Sequence, residues 1–355
     1  MTLEQQIKSH ALGLGFNLVG ITDAQPLTEG ESRLRAWLAT GREGAMGYMS
    51  RTPERRARPA DHLPGAQSVV CLGLNYYQPD PEKPNSGPAR GRVSNYARAE
   101  DYHLIIADKL SALENFIRAL PSPDGQPVRT KSCVDASPLL ERELAQKAGL
   151  GFVGKNSCLI TPEFGSWVFL AEVITTLPLL PDTPGSGTCG NCTRCLDVCP
   201  TQAFDDEWLL DARKCISYLT IELRAPIEPE LRPAMGDWIF GCDLCQTICP
   251  YNKSPWTTTE SRLLPDDPIE AAYPSLEKLF SYADEAEFKK DYADRPQLRP
   301  RRRAMIQSAA YAAANLHATE LIPRLESLAR ADRDPLVRNA ALHALEKLTT
   351  LPSKP

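Results

Sequence analysis

Cysteines are concentrated between positions 189 and 249, at spacings that are typical of iron–sulfur proteins. The segment CGNCTRCLDVCP at 189–200 has the order Cys-x2-Cys-x2-Cys-x3-Cys-Pro, and CDLCQTICP at 242–250 repeats the last three cysteines of that order. In two-cluster ferredoxins the first three cysteines of a run bind one cubane and the fourth binds the other. We therefore predict two four-iron four-sulfur clusters.

The second run is one cysteine short, because Ile239 occupies the position where a symmetric ferredoxin has its first cysteine. Cys215 lies between the two runs and is the cysteine that fills this gap. The crossed arrangement then gives each cluster four ligands. Cluster 1 is predicted to be bound by Cys189, Cys192, Cys195 and Cys249, and cluster 2 by Cys199, Cys215, Cys242 and Cys245.

Disulfides and zinc are the alternative uses of these cysteines. The start of the chain, MTLEQQIKSHALGLGFNLVG, lacks the features of a signal peptide and of a twin-arginine signal, so we expect a cytoplasmic protein with reduced thiols. Zinc also binds Cys-x-x-Cys pairs, but its sites usually separate the pairs by longer loops. Cys71 is expected to be an apolar residue of a buried strand, and Cys133 and Cys158 have no ligand spacing.

The chain is long enough for two or three domains, with 355 residues, 42% apolar residues and a net charge of −5. Residues 1–180 combine helical periodicity with short apolar runs, which predicts an α/β domain. Residues 181–260 are predicted to form a ferredoxin-type double-cluster domain of α+β class. Residues 261–355 are alanine-rich and predict all-α, HEAT-like repeats. The apolar stretches are too short to span a bilayer, so we expect no membrane partner.

One carboxylate of the N-terminal region, Asp135, lies where catalysis could occur. The segment KSCVDASPLL predicts a strand that ends just before a helix, with Ser137 as its cap and Pro138 at its first position. Such strand ends carry catalytic residues in α/β domains, although an Asp there also serves as a turn residue. His103, in the segment DYH, could be a ligand or a polar residue at a helix start.

Arginines cluster where the C-terminal region begins, although the chain is acidic overall. They could contact the phosphates of a nucleic acid, or they could form a solvated helix face. The cluster consists of Arg299, Arg301, Arg302 and Arg303.

Five segments together resemble the epoxyqueuosine reductase family: VDASPLLERELAQKAGLGFVGKNSCLI, GSWVFLAEVITT, CGNCTRCLDVCPTQAF, ARKCISYLTIEL and GCDLCQTICPYN. The resemblance implies that residues 1–180 bind cobalamin. It also implies that the chain reduces the epoxide of epoxyqueuosine at the wobble position of tRNA anticodons. The helical tail fits the family as well. Ala99 departs from the glycine expected there, which puts the geometry of its loop in question.

The resemblance also implies roles for individual residues. The family's proton donor falls on Asp135, whose carboxyl we expect to have a pKa raised by partial desolvation. Contacts to the corrin are expected from Arg58, Asp135, Asn156, Ser217 and Asp243. The sequence contains no Asp-x-His-x-x-Gly segment, so no familiar histidine ligand for cobalt is expected. The arginine cluster is expected to contact the tRNA.

Reduction of an epoxide to an alkene takes two electrons and two protons and releases the oxygen as water. Clusters pass one electron at a time. We therefore expect an unidentified low-potential donor to reduce the clusters, which in turn reduce the cobalamin. We expect the chain to act as a monomer. Two other functions stay open. A reductive dehalogenase-like enzyme would share these cofactors, whereas a ferredoxin-type electron-transfer module would need neither cobalamin nor Asp135.

Anaerobic reconstitution should load about eight iron and eight sulfide ions per chain, as two cubanes require. Cys215→Ala should remove cluster 2 alone, so the variant should contain about four iron ions per chain. Cys71→Ala is the matched control and should keep about eight. Iron and sulfide analysis makes the measurement. About four iron ions in the unmodified chain, or tightly bound zinc in their place, would contradict the two-cluster prediction.

Overall fold

The computed structural model describes residues 1–350, and its N-terminal part is a sheet covered by helices. The elements of this part, in chain order, are α1 (Leu3–Gly13), β1 (Leu18–Asp23), α2 (Thr28–Leu38), α3 (Pro53–Arg56), β2 (Ser68–Asn75), β3 (Arg92–Val93), α4 (Tyr102–Arg118), β4 (Thr130–Cys133), α5 (Glu141–Lys147), β5 (Phe152–Val153), β6 (Leu159–Ile160) and β7 (Val168–Thr175). The main sheet has the strand order β1-β2-β7-β4. All its neighbouring strands are antiparallel.

The two faces of this sheet are covered by different helices. Successive side chains of a strand point to opposite faces, and β2 is buried on both. Val70 and Leu72 face a core formed with α1 and α4. Val69 and Cys71 face a second core, which contains α5. Cys71 is therefore an apolar core residue, as its segment predicts.

Short elements alternate with the cysteine-bearing loops in the central part of the chain. They are α6 (Arg194–Asp197), β8 (Phe204–Asp206), β9 (Leu209–Leu210), α7 (Ile216–Ile221), β10 (Trp238–Phe240) and α8 (Leu244–Thr247). β10 pairs in parallel with β3, so the sequence after Cys215 is attached directly to the N-terminal part.

Helices alone form the C-terminal part of the described chain: α9 (Pro268–Ala272), α10 (Leu276–Ser281), α11 (Glu285–Tyr292), α12 (Arg301–Asn315), α13 (Ile322–Ala331) and α14 (Pro335–Thr349). Buried alanines of α12 and α14, such as Ala309 and Ala340, let these two helices approach closely. They share one core with Leu219 of α7 and Phe240 of β10. The tail thus packs on the cluster-bearing part, while the domain boundaries and the HEAT-like repeats stay predictions.

The mixed helix and strand architecture is confirmed, but two local expectations differ from the structure. The main sheet is antiparallel and contains no parallel βαβ unit. Helix α5 begins at Glu141, after Leu140, and not at Pro138. Residues 135–140 instead form an extended turn, in which Leu140 N donates to Arg56 O at 2.9 Å. Within residues 1–350, no helix combines the length and the apolar character needed to cross a bilayer.

Candidate active site

A cavity of about 940 Å³ opens where the three parts of the chain meet. One wall carries Asp135 and the first turn of α4, another carries Cys215 and α7, and the third comes from the segment before α12. Aromatic side chains, among them Tyr48, Tyr96 and Tyr218, supply much of the lining. A large, mainly apolar cavity with a few convergent polar groups is typical of a cofactor or substrate site. Tyrosine side chains on several walls are groups that could pack against the faces of a planar ring system.

Three side chains converge on the carboxylate of Asp135. Tyr102 donates its hydroxyl hydrogen to Asp135 Oδ2 at 2.8 Å, and His103 Nε2 lies 3.3 Å from the same oxygen. Arg299 Nη1 lies 3.9 Å away and comes from the C-terminal part of the chain. The other imidazole nitrogen of His103, Nδ1, lies 2.7 Å from Asp101 Oδ1. His103 therefore bridges two carboxylates, and Asp135 is held from two regions of the sequence.

The pKa of Asp135 is lowered in the structure, whereas the sequence led us to expect a raised pKa. The hydrogen bond from His103 lowers the pKa of Asp135, and this effect together with the hydrogen bond from Tyr102 outweighs burial. Burial lowers the pKa of His103, but its bonds to Asp101 and Asp135 outweigh that effect and raise it to about 9. At neutral pH the carboxylate is thus ionised and the imidazole carries the proton. The expectation of a raised pKa is wrong because it left out these partners.

The start of α4 positions Tyr102 and His103. Asp101 caps the helix by accepting a hydrogen bond from His103 N, and the same side chain holds the imidazole. The ring of Tyr102 stacks on Phe169 of β7 with 4.1 Å between centroids, and the ring of His103 stacks on Tyr102. Burial and the charge of Asp135 raise the pKa of Tyr102, so its hydroxyl remains a hydrogen-bond donor.

The cysteines predicted to bind cluster 1 are electrostatic neighbours in the structure. Burial raises the pKa of Cys195 to about 11, and the charges of Cys189 and Cys249 add to this effect. The pKa of Cys249 is raised by burial and by the charges of Cys189 and Cys192. Lys155 N points at Cys189 Sγ over 3.5 Å, a contact suited to a cluster thiolate. Cys249, the last cysteine of the second run, thus lies near the cysteines of the first run.

The cysteines predicted to bind cluster 2 form the other group. Burial raises the pKa of Cys242, and the charges of Cys215 and Cys199 raise it further. Burial and nearby thiolates, including Cys215, also raise the pKa of Cys245. Ala203 N donates to Cys199 Sγ at 3.3 Å. Since Cys215 lines the cavity as well, this group lies at the cavity wall.

Among residues 1–350, no three side chains of His, Cys, Asp or Glu are placed to share one metal ion. Each cysteine group has a backbone N–H donor pointing at one of its sulfurs, Lys155 N at Cys189 Sγ and Ala203 N at Cys199 Sγ. Hydrogen bonds to sulfur are one of the features by which proteins tune iron–sulfur clusters. The ligand assignment stays a prediction.

Two of the predicted corrin contacts lie close to the cysteines. Ser217 lines the cavity in the first turn of α7, together with Cys215. Asn156 is buried, and its Nδ2 donates to Cys245 O at 3.3 Å, so it connects the loop after β5 to the second cysteine group.

The other two predicted corrin contacts have partners outside the cavity lining. Asp243 is buried and accepts hydrogen bonds from Asn95 N at 2.6 Å and Ser94 Oγ at 2.5 Å. Arg58 is paired with Glu31 at 3.4 Å on an exposed surface. Both contacts are structural in character, and roles for these residues in corrin binding stay predictions.

The predicted tRNA-contacting arginines fall into two classes. Arg299 and Arg301 line the cavity and are exposed, and Arg303 is partly exposed. Arg302 is 6% exposed and forms an ion pair with Asp332. The prediction that Arg302 contacts tRNA is wrong for this structure, because its guanidinium is buried and already bonded to Tyr282 O, after α10, and to Asp332, after α13.

Two family models match the chain. A model described as a 4Fe-4S double cluster binding domain matches residues 188–252, and the model for epoxyqueuosine reductase QueG matches residues 56–136. The epoxyqueuosine reductase of Escherichia coli K12 is 42% identical over 285 residues, which are 80% of this chain and 73% of that protein. The enzyme of Xanthomonas campestris is 40% identical over 337 residues, 94% of this chain and 92% of that protein. The chain belongs to the epoxyqueuosine reductase family.

Solved structures of epoxyqueuosine reductases share the fold. One contains an epoxyqueuosine-modified tRNA-Tyr stem loop, has a TM-score of 0.90 and 33% identity, and covers 98% of this chain and 90% of its own. An enzyme from Bacillus subtilis, with the same TM-score, identity and coverage, was solved with its catalytic loop swung out of the active site. Membership of the family confirms the predicted cofactors, two 4Fe-4S clusters and cobalamin.

Sequence reasoning missed most of the partners of Asp135. Tyr102 and His103 precede it by more than thirty positions, and Arg299 lies far downstream. The one available signal was Asp101 followed by an aromatic residue and a histidine at a helix start. That pattern is equally typical of an ordinary helix cap.

Turnover by the loaded enzyme should be nearly constant through neutral pH and fall as the pH rises through about 9, where His103 loses its proton. In His103→Gln this high-pH step should disappear, and turnover at neutral pH should fall by about a hundredfold or more, as for loss of an acid group. Single-turnover rates against pH make the measurement.

His343→Gln, far from the cavity, is the matched control and should keep the profile of the unmodified chain. A His103→Gln variant with an unchanged profile would show that His103 holds no proton needed by the reaction.

Proposed function

We propose that this chain reduces epoxyqueuosine to queuosine at the wobble position of tRNA anticodons. Its membership of the family supports this oxidoreductase activity, and the relative solved with an epoxyqueuosine-modified stem loop supports tRNA as the substrate. One observation carries the proposal. The same cavity is lined by Asp135 with its proton-bearing partner His103 and, on another wall, by Cys215 from the second cysteine group.

The reaction breaks both carbon–oxygen bonds of the epoxide, consumes two electrons and two protons, and leaves an alkene and water. Bound cobalamin supplies the strongly reducing chemistry that opens the ring. The residues of the chain must hold the substrate against the cofactor and deliver protons to the leaving oxygen. An oxygen that leaves as hydroxide or water needs an acid at hydrogen-bond distance.

Asp135 and His103 supply that acid as a pair. The proton resides on His103 at neutral pH and is shared with Asp135 over their 3.3 Å contact. Asp135 faces the cavity, so it passes the proton to the oxygen while His103 replaces it. Tyr102 fixes the carboxylate through its hydrogen bond. Arg299 also holds a second carboxylate, that of Glu222 at the end of α7, at 2.8 Å.

Cys215 lines the cavity, so cluster 2, which Cys199, Cys215, Cys242 and Cys245 would hold, would lie at the cavity wall. Cluster 1 would be held by Cys189, Cys192, Cys195 and Cys249, and Cys249 comes from the same run as Cys242 and Cys245. Together the two clusters would supply one-electron transfers from an external low-potential donor, two of which make up the pair that the epoxide consumes.

The exposed arginines at the cavity rim receive the tRNA. Arg301 has a φ of 64°, in the left-handed region, and an unusual backbone conformation of this kind is often found at functional sites. With Arg299 it lines the cavity and can contact phosphates of the anticodon loop. The turn that carries Asp135 corresponds in this proposal to the catalytic loop that is swung out in the B. subtilis enzyme. We also propose that the chain acts as a cytoplasmic monomer.

Asp135→Asn should lower turnover of epoxyqueuosine-containing tRNA by about a hundredfold to ten-thousandfold, the range for loss of general acid catalysis. Asn keeps the size and one acceptor oxygen of Asp135 but cannot pass on a proton. Product analysis of the modified nucleoside under single-turnover conditions measures the loss. Iron content, the cobalamin spectrum and tRNA affinity should stay near those of the unmodified chain.

Asp124→Asn, in an exposed loop, is the matched control and should react normally. Less than about a tenfold loss in Asp135→Asn would place the proton donor elsewhere, since general acids contribute more than that. Loss of cobalamin in this variant would instead make Asp135 a structural turn residue or a corrin contact.

A further inference from the structure

The backbone at Asp135 has a conformation that side-chain-bearing residues adopt at a cost. Its φ is 40°, in the left-handed region, which Asp tolerates better than most residues but seldom adopts without support from its surroundings. The side-chain contacts of Asp135 with Tyr102 and His103 constrain only its carboxylate. A separate interaction must hold the peptide unit itself.

Glu141 provides that interaction. The N–H of Asp135 donates to Glu141 Oε1 at 2.7 Å, across the turn that joins β4 to α5. Glu141 is the first residue of α5, and Leu140 before it makes no side-chain cap. Leu144 and Ala145 of the same helix are fully buried, so the helix start that carries Glu141 is fixed on the core. The side chain of Glu141 therefore reaches back from a fixed element to a strained one.

A second buried carboxyl group, that of Glu172, suggests a competing role for Glu141 in proton transfer. Glu172, in the centre of β7, is fully buried, and neither of its oxygens has a hydrogen-bond partner among the described residues. The charge of Glu141 adds to the effect of burial in raising the pKa of Glu172. Glu172, Glu141 and Asp135 could thus form a proton relay. The relay needs carboxyl groups at each position, whereas support of the backbone needs only an acceptor oxygen.

We propose that Glu141 is the positioning residue for Asp135 and that its side-chain oxygen keeps the turn in the conformation that presents the Asp135 carboxylate to the cavity. The contact is a backbone N–H to side-chain oxygen bond, so it works whether or not Glu141 is ionised. The catalytic consequence rests on the proposed function of Asp135. The structural consequence, a turn that opens when the acceptor is removed, does not.

Amide hydrogen exchange in the loaded enzyme without substrate tests the structural consequence. Glu141→Ala should speed exchange in the turn at 133–140 by about tenfold to a hundredfold, the population change expected when removal of the side-chain oxygen leaves the Asp135 N–H without its partner. Glu141→Gln keeps an acceptor oxygen and should exchange like the unmodified chain. Glu143→Ala, in the same helix and paired with Arg33, is the matched control and should also leave the turn unchanged.

Turnover tests the catalytic consequence with the same variants. Glu141→Ala should lower kcat by about tenfold to a hundredfold, with KM for tRNA unchanged, and Glu141→Gln should restore most of the rate. Unchanged exchange in Glu141→Ala would overturn the proposal. So would a Glu141→Gln variant that is as slow as Asp135→Asn, which would favour the relay. If Glu141→Ala fails to fold or to keep its cofactors, Glu141→Gln decides between the two roles. If the unmodified chain does not reduce epoxyqueuosine, the exchange experiment still decides the positioning role.

Discussion

The contact between His103 Nε2 and Asp135 Oδ2 joins the first turn of α4 to the turn that follows β4. It sets the charge of both groups, because the imidazole lowers the pKa of the carboxylate and the carboxylate helps to raise that of the imidazole. It also places the shared proton at the cavity wall. The helix cap at Asp101, the stacking of Tyr102 on Phe169 and the backbone contact of Glu141 all act to keep these two groups facing each other.

The cavity depends equally on how the three parts of the chain pack together. The core that contains α7 and β10 continues into α10, α12 and α14, so the C-terminal helices are fixed relative to the cysteine groups. The buried ion pair of Arg302 with Asp332 ties α12 to the end of α13. Arg299 and Arg301, just before and at the start of α12, therefore reach the cavity from a rigid support. The helical tail is part of the site.

Sequence spacing predicted the parts of the site that depend on local geometry. Cysteines three and four positions apart predicted two groups, and the missing cysteine at Ile239 directed attention to Cys215. The position of Asp135 after a strand left a catalytic residue or a turn residue open, and the family resemblance implied the proton donor, a role that stays a prediction. The charge state of Asp135 could not be predicted, because that state depends on Tyr102, His103 and Arg299, which only the fold brings near. The burial of Arg302 could not be predicted either. Its sequence surroundings are like those of Arg299 and Arg301, but only Arg302 is buried in the fold.

In the proposed reaction, one cavity brings the Asp135–His103 pair and Cys215 of the second cysteine group to the same epoxide. A structure of the loaded enzyme with an epoxyqueuosine-containing stem loop tests this most directly, through the distance from the epoxide oxygen to the Asp135 carboxylate. We expect a separation of about 3 Å, or a single bridging water, since a general acid must reach the oxygen that it protonates. An oxygen that faces away from Asp135, with another donor at hydrogen-bond distance, would show that Asp135 does not protonate it.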